Sequence, residues 1–271
     1  MVNRLWQHHI GEGLCRSPDN FGFSGEEPTN QALLDWLAVR FVEKDWSIKA
    51  MHRAIMLSST YQMGSSYNAA AAHADPDNRL HWRFQRRRLT AEEIRDTILA
   101  VSDNLDLTVG GNLFNYKNHD PHVSFNTRGP VEYDFPRRSI YLPVVRNVLY
   151  DVFDLFDFGD ALTINPKRSQ TTVAPQALYM MNSPLVIDAA KRLATILRRA
   201  TVDDETRIQH IYERLLARPP TPAEIGRSLH TLTRLAEIIT DDEKEPEAVN
   251  QKAWQTFCHT ILASNEFLHL N

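Results

Sequence analysis

The 271-residue chain has two cysteines, Cys15 and Cys258. It contains no Cys-x-x-Cys pair and no Cys-x-x-Cys-His, which argues against a zinc ribbon or covalent haem attachment in this chain. Cys258 shares a helical face with Trp254 and Ile261 and reads as a small core residue; a disulfide to Cys15 is the alternative. No stretch approaches the roughly 18 apolar residues of a membrane span, and no signal peptide opens the sequence. A Gly-rich phosphate loop and a dinucleotide fingerprint are missing. So is Gly-x-Ser-x-Gly, and no serine or cysteine is flanked by a persuasive base. Paired carboxylates for glycoside cleavage stay open, because such partners can lie far apart in sequence. There is also no large excess of one charge: 30 Lys and Arg stand against 34 Asp and Glu, a net charge of -4. Nucleic acid and anionic membrane surfaces are therefore not expected as partners.

What is present is helical periodicity. Val2, Leu5, Trp6 and His9 form a face with no capping residue before it, so Met1 is read as lying inside a helix and the chain as a fragment of a longer protein. Residues 11–28 form a loop. Thr29 or Asn30 caps a helix carrying Leu34, Leu37 and Phe41, and Ser47 caps another with Ile48, Met51, Ile55 and Ser59 turned inward. Thr90-Ala91-Glu92-Glu93 and Thr221-Pro222-Ala223-Glu224 are capping boxes. The first starts a helix with Ile94, Ile98, Val101 and Leu105. In TTVAPQALYMMNSPLVIDAAKRLATILRR, residues 171–199, Thr172 caps one helix with Ala174, Leu178 and Met181 on a face. Ser183-Pro184 starts the next, which carries Val186, Ala190, Leu193 and Leu197.

Alternation in residues 80–86 and the run Ser139–Val145 predict a small two-stranded β element. Residues 203–217, 222–239 and 249–261 predict a C-terminal three-helix bundle. The expectation is a mainly α protein, with a multi-helix domain at 1–200 and the bundle at 201–271, which can pack as one unit with it. Trp6, Leu34, Leu37, Ile55, Ile94, Ile98, Leu178, Leu193, Leu215 and Phe257 are expected to be buried.

Eight motifs follow one another in order: VNRLWQHHIGEGL, PDNFGFSGEEPTNQALLDWLA, DWSIKAMHRAIMLSSTYQM, RRRLTAEEIRD, RRSIYLPV, TTVAPQALYMMNS, RLLARPPTPAE and ILASNEFL. Together they resemble the C-terminal domain of unknown function in secreted planctomycete-type proteins that often carry a cytochrome c domain upstream. The resemblance covers nearly the whole chain. It implies an exported, multidomain parent in the periplasm or outside the cell, with haem c held upstream and no cofactor in this chain. It supplies no reaction.

Three basic clusters are the leading site candidates: Arg86-Arg87-Arg88, Arg137-Arg138 and Lys167-Arg168. Guanidinium groups grip carboxylate, sulfate or phosphate with paired hydrogen bonds. Arg87, Arg88, Arg137, Arg138 and Arg168 would bind an anionic ligand if they converge; otherwise they brace loops against acids such as Asp96, Glu132 or Asp154. His8-His9, with Glu12 four residues beyond His8, and His119-Asp120-Pro121-His122 have metal-ligand chemistry. Adjacent helical histidines diverge by about 100° and the loop triad lacks a fourth ligand, so no metal site is expected. Asp154, Asp157 and Asp160 match no calcium loop. Two functions follow. One is a non-catalytic docking or scaffold domain, bound to other domains of its parent or to a protein partner in the same compartment. The other binds or processes an anionic glycan, with Tyr116, Phe125 and Tyr133 of the long loop 111–137 stacking on sugars.

Overall fold

A computed structural model describes residues 1–111, 133, 135–144, 149–160, 163–200, 203–241 and 243–270. The protein is mainly α-helical, with one two-stranded antiparallel sheet among the described residues. It forms two compact units: residues 1–88, 165–167 and 269–271, and residues 89–164 and 168–268.

The first unit is built on α1 (Val2–Ile10), α2 (Gln31–Glu43) and α3 (Ile48–Met56), with the short α4 (Ala69–Ala74). Its core is Val2, Leu5, Trp6, Ile10, Leu14, Leu37, Phe41, Met51 and Ile55. Asn30 caps α2 by accepting from Leu33 N (2.9 Å), and Ser47 caps α3 by accepting from Ala50 N (3.3 Å). Much of the rest is loop, held by polar side chains that reach backbone. Buried Asn3 bonds both the amide and the carbonyl of Cys15, each at 2.9 Å. In the turn after Asp19, a Cβ on Gly25 would lie 2.1 Å from the Asn20 carbonyl oxygen, so only glycine fits there.

The β element differs from expectation. Residues 80–86 do not extend as a strand. The Asp75 carboxylate accepts from the amides of Arg79 (2.9 Å) and Leu80 (2.7 Å), and the Asn78 side chain bonds both backbone groups of Arg83. These bonds hold a turn with His81 at φ 55° and take the groups a ladder would use. Ser139–Tyr141 is a 3₁₀ turn. Its Ser139 amide and hydroxyl are bonded to Asp96 at 2.8 and 2.6 Å, and Pro143 has no amide to offer a sheet. The observed ladder pairs β1 (Arg87–Arg88) with β2 (His269–Leu270), Arg87 opposite Leu270 and Arg88 opposite His269.

The second unit contains α5 (Ala91–Val101), α6 (Asp151–Leu155), α7 (Ala174–Asn182), α8 (Pro184–Ala200), α9 (Asp204–Leu216), α10 (Pro222–Thr240), α11 (Pro246–Leu262) and the single turn α12 (Asn265–Leu268). Both capping boxes form. Thr90 N donates to Glu93 Oε2 (2.8 Å) with Glu93 N returning to Thr90 Oγ1 (3.4 Å), and Thr221 and Glu224 repeat the exchange. α9, α10 and α11 pack pairwise as the expected three-helix element, and α8 lies along α11. Helices on both sides of residue 200 therefore share one core, which includes Ile94, Ile98, Phe153, Met180, Leu193, Ile208, Trp254 and Phe257.

Of the residues expected to be buried, Leu34 is half-buried and Leu178 is 57 % exposed. α7 starts one residue later than expected, with Val173 rather than Thr172 at its N-cap, and turns Gln176 and Met180 inward. Ala174, Leu178 and Met181 lie on its exposed side. Gln176 is buried because it is bonded at both ends: Oε1 accepts from Val173 N (3.3 Å), and Nε2 donates to Leu155 O (2.9 Å).

Candidate functional site

Of the arginines singled out in the sequence, Arg137, Arg138 and Arg168 are engaged within the second unit. In the first unit Arg88 is buried in the ladder beside Arg87. There Lys167 pairs with Glu12, the residue that would have joined His8 on a metal. In the second unit Arg137 donates to the carbonyls of Thr108 (2.6 Å) and Gly110 (2.8 Å) and lies 4.5 Å over the Tyr141 ring. Arg138 approaches the same ring and donates to the Tyr141 hydroxyl (3.3 Å). A hydrogen bond from the Gly110 backbone, then Arg138, holds the Tyr141 phenol below its ordinary range. Arg168 grips both oxygens of Glu92, at 2.9 and 2.6 Å, and lies over Phe158. Arg137, Arg138 and Arg168 each have the fixed geometry of a structural brace.

The other candidates also have local roles. His9 Nε2 lies 2.7 Å from His52 Nδ1, with the Tyr61 ring edge-on. Burial, then His52, lowers its pKa. No group of three or more metal-binding side chains occurs among the described residues. The motif at residues 119–122, Tyr116, Phe125 and Glu132 lie outside them. Asp157, at φ 59°, accepts from the Thr171 amide and hydroxyl, so it anchors a loop. Cys15 and Cys258 are buried free thiols, and burial pushes the Cys258 thiol well above its usual range.

A feature of which the sequence brought forward only Tyr133 lies wholly in the second unit. A groove of about 740 Å³ is lined by Tyr133, Phe135, Tyr150, Tyr179, Arg95, Asp151, Asn182, Asp188 and Arg192, among others. Tyr133 and Tyr150 stack at 4.9 Å, which fixes both rings. Arg95, 2 % exposed, lies across the wall and ties α5 to the segment 135–139. It donates to the carbonyls of Phe135 and Arg137 and to Ser139 Oγ (3.3 Å). Burial, then the neighbouring Tyr150, keeps the Tyr179 phenol protonated far above its ordinary range. It therefore stays a neutral donor and acceptor at any physiological pH. Ser102, Asp188 and Arg192 also line a second groove, of about 450 Å³, with Lys191, Thr195 and Arg199.

Besides Tyr133, one signal for this site is legible in the sequence. Asp188, Lys191, Arg192, Thr195 and Arg199 recur at helical spacing on α8 and leave one polar stripe on a helix otherwise committed to the core. The opposite wall comes from residues far apart in the chain, which periodicity does not connect.

A pocket with fixed aromatic rings and both charge signs can hold a polyhydroxylated or zwitterionic ligand. No curated protein matches the chain, and no solved structure does. A family model described as "PSD1: Protein of unknown function (DUF1553)" matches residues 1–232. The chain belongs to that family, and the ordered motifs from VNRLWQHHIGEGL to RLLARPPTPAE fall within the matched span.

Proposed function

We propose that this chain is a non-catalytic docking or scaffold domain of an exported, cytochrome-c-associated multidomain protein, working in the periplasm or outside the cell. The observation that carries the reading is α2. Its inner side places Leu37 and Phe41 in the core, while Trp36, Val39 and Val42 are each more than half exposed, as is Trp46 just beyond its end. A helix apolar on both sides loses free energy in water at about 25 cal/mol per Å² of apolar surface left uncovered. Such surface marks a contact with another protein segment. In this reading the partner is a domain of the parent polypeptide, the haem domain first.

The test is photo-cross-linking in the intact parent, with a photoreactive residue at Trp36 or Val39. Cross-links to a haem-bearing domain are expected, and Val39→Glu should remove those formed from position 36. Cross-links confined to a probe on α10, with none at 36 or 39, would sink the reading.

A second reading, binding or processing of an anionic polysaccharide, has support of its own. Arg137, Arg138 and Arg168 are occupied by carbonyls, an acid and rings, but the tyrosine-lined groove offers the aromatic faces and mixed polarity that a sugar ligand uses. Binding to a glycan array with and without Arg138→Ala tests whether the clusters take part.

A further inference from the structure

We infer that the polar stripe of α8 is the floor of a binding site for an acidic oligosaccharide, with a tyrosine end that takes a sugar ring and a cationic end that takes its carboxylate or sulfate. The inference rests on the second reading for the class of ligand, but it places the site on residues other than the arginine clusters.

Three observations carry it. First, the two grooves share Ser102, Asp188 and Arg192, so they run along one helix face. From Asp188 to Arg199 that face extends roughly 16 Å at the α-helical rise, longer than one sugar ring. Second, the ends differ in chemistry. One end holds Tyr150, backed by stacked Tyr133, together with Tyr179, Asn182 and Asp151. Aromatic surface beside acid and amide groups suits the C–H face and hydroxyls of a pyranose. The other end holds Lys191, Arg192 and Arg199. Of the acids beside them, Asp103 is paired with Arg214 at 2.5 Å, which leaves Asp188 against three cations. Third, Arg95 gives its guanidinium to carbonyls and Ser139, so it stiffens the wall rather than drawing the anion to the tyrosine end.

A phosphate ligand fits less well. α8 begins with Pro184, which has no amide, and the amides of Val186 and Ile187 already bond the Ser183 carbonyl at 3.1 and 3.0 Å. The open amides that make a helix start an anion cradle are largely used.

The experiment is titration calorimetry on the full chain with a hexagalacturonate, a heparin-derived hexasaccharide and neutral cellohexaose. At least one acidic hexamer should bind, about tenfold tighter than the neutral one. The double variant Arg192→Ala/Arg199→Ala should weaken it about tenfold, while Arg234→Ala on α10, a charge-loss control, leaves it unchanged. All three arginines are at the surface, and an unchanged melting curve shows that each variant folds. Acidic and neutral hexamers binding equally would overturn the inference. Binding that survives in the double variant but fails in Arg138→Ala would overturn it too and leave the second reading standing on the arginine clusters. If neither acidic hexamer binds, both fall together.

Discussion

Leu193 and Asn3 sit at the centres of two differently made bodies. Around Leu193, α5, α8 and α11 bring aliphatic and aromatic stripes into one continuous core, with the starts of α5 and α10 fixed by reciprocal caps. Around Asn3, three short helices enclose a smaller core, and the remaining chain is fastened by Asn3, Asp75, Asn78 and Ser17, each reaching backbone. The larger body relies on burial, which grows with contact area and tolerates changes in individual side chains. The smaller relies on directional polar bonds, in which one lost partner leaves buried backbone unsatisfied. The smaller body also shows apolar surface, on α2 and the turn after it.

Tryptophan placement makes this comparison measurable. Trp6, Trp36, Trp46 and Trp82 lie in the first unit, and Trp254 alone lies in the second. The largest effect is expected from Leu193→Ala, which leaves a cavity in the second core and should cost about 3–4 kcal/mol. Denaturant titration of a variant keeping only Trp254 should report the loss, and a variant keeping only Trp6 should hold its midpoint. If both shift together, the two bodies unfold as one and the comparison breaks. Asn3→Ala should cost about 2–3 kcal/mol by stranding both Cys15 backbone groups, with the reporters responding the other way round.

A smaller effect is expected in acid. Arg218, then the Thr221 amide, holds the Glu224 carboxyl down to about 2. The carboxylate is favoured in the folded chain, so its contribution is complete above the ordinary range and is lost as the pH falls toward 2. Glu224→Gln should therefore lose less melting temperature between pH 5 and pH 2.5 than the parent does. In the first unit the direction is the same but the cause differs: there the neutral form, not the charged one, is favoured by folding. Burial lowers the pKa of His81, with Arg16 adding to it and Asp75 opposing. The unfolded chain takes up that proton first, so stability is full above the ordinary histidine pKa and declines as the pH falls below it. His81→Gln should flatten the pH 7 to pH 5 slope in the Trp6 reporter only. The smallest effect belongs to Trp36→Ala, which should change stability by no more than about 0.5 kcal/mol while abolishing cross-links to the proposed partner.

Local signals were the most legible part of the sequence. Both Thr-x-x-Glu boxes and the Asn30 and Ser47 caps fall within three residues of their partners, and all form. Periodicity points the face of α7 the wrong way round, because Leu178 and Met181 are more apolar than Gln176. The position of Gln176 is decided by the distant Leu155 carbonyl, which periodicity does not reveal. The alternation of Leu80, Trp82 and Phe84 imitated a strand, but Asp75 and Asn78 hold that segment as a turn. The true partner of Arg87–Arg88 lies at His269–Leu270, at the far end of the sequence. At the groove, the α8 stripe was open to view, whereas Tyr150 and Tyr179 meet only once the chain has folded.

The β1–β2 ladder has a consequence for synthesis. Residues 1–88 leave the ribosome before the second unit, but the strand that pairs with Arg87 and Arg88 is translated only after the whole of that unit. The body that begins first is therefore completed last, against the usual order in which an N-terminal body matures before its successor emerges. Until His269 appears, a nascent chain carries both an open strand edge and the exposed Trp36 and Trp46, a state suited to capture by a holding chaperone.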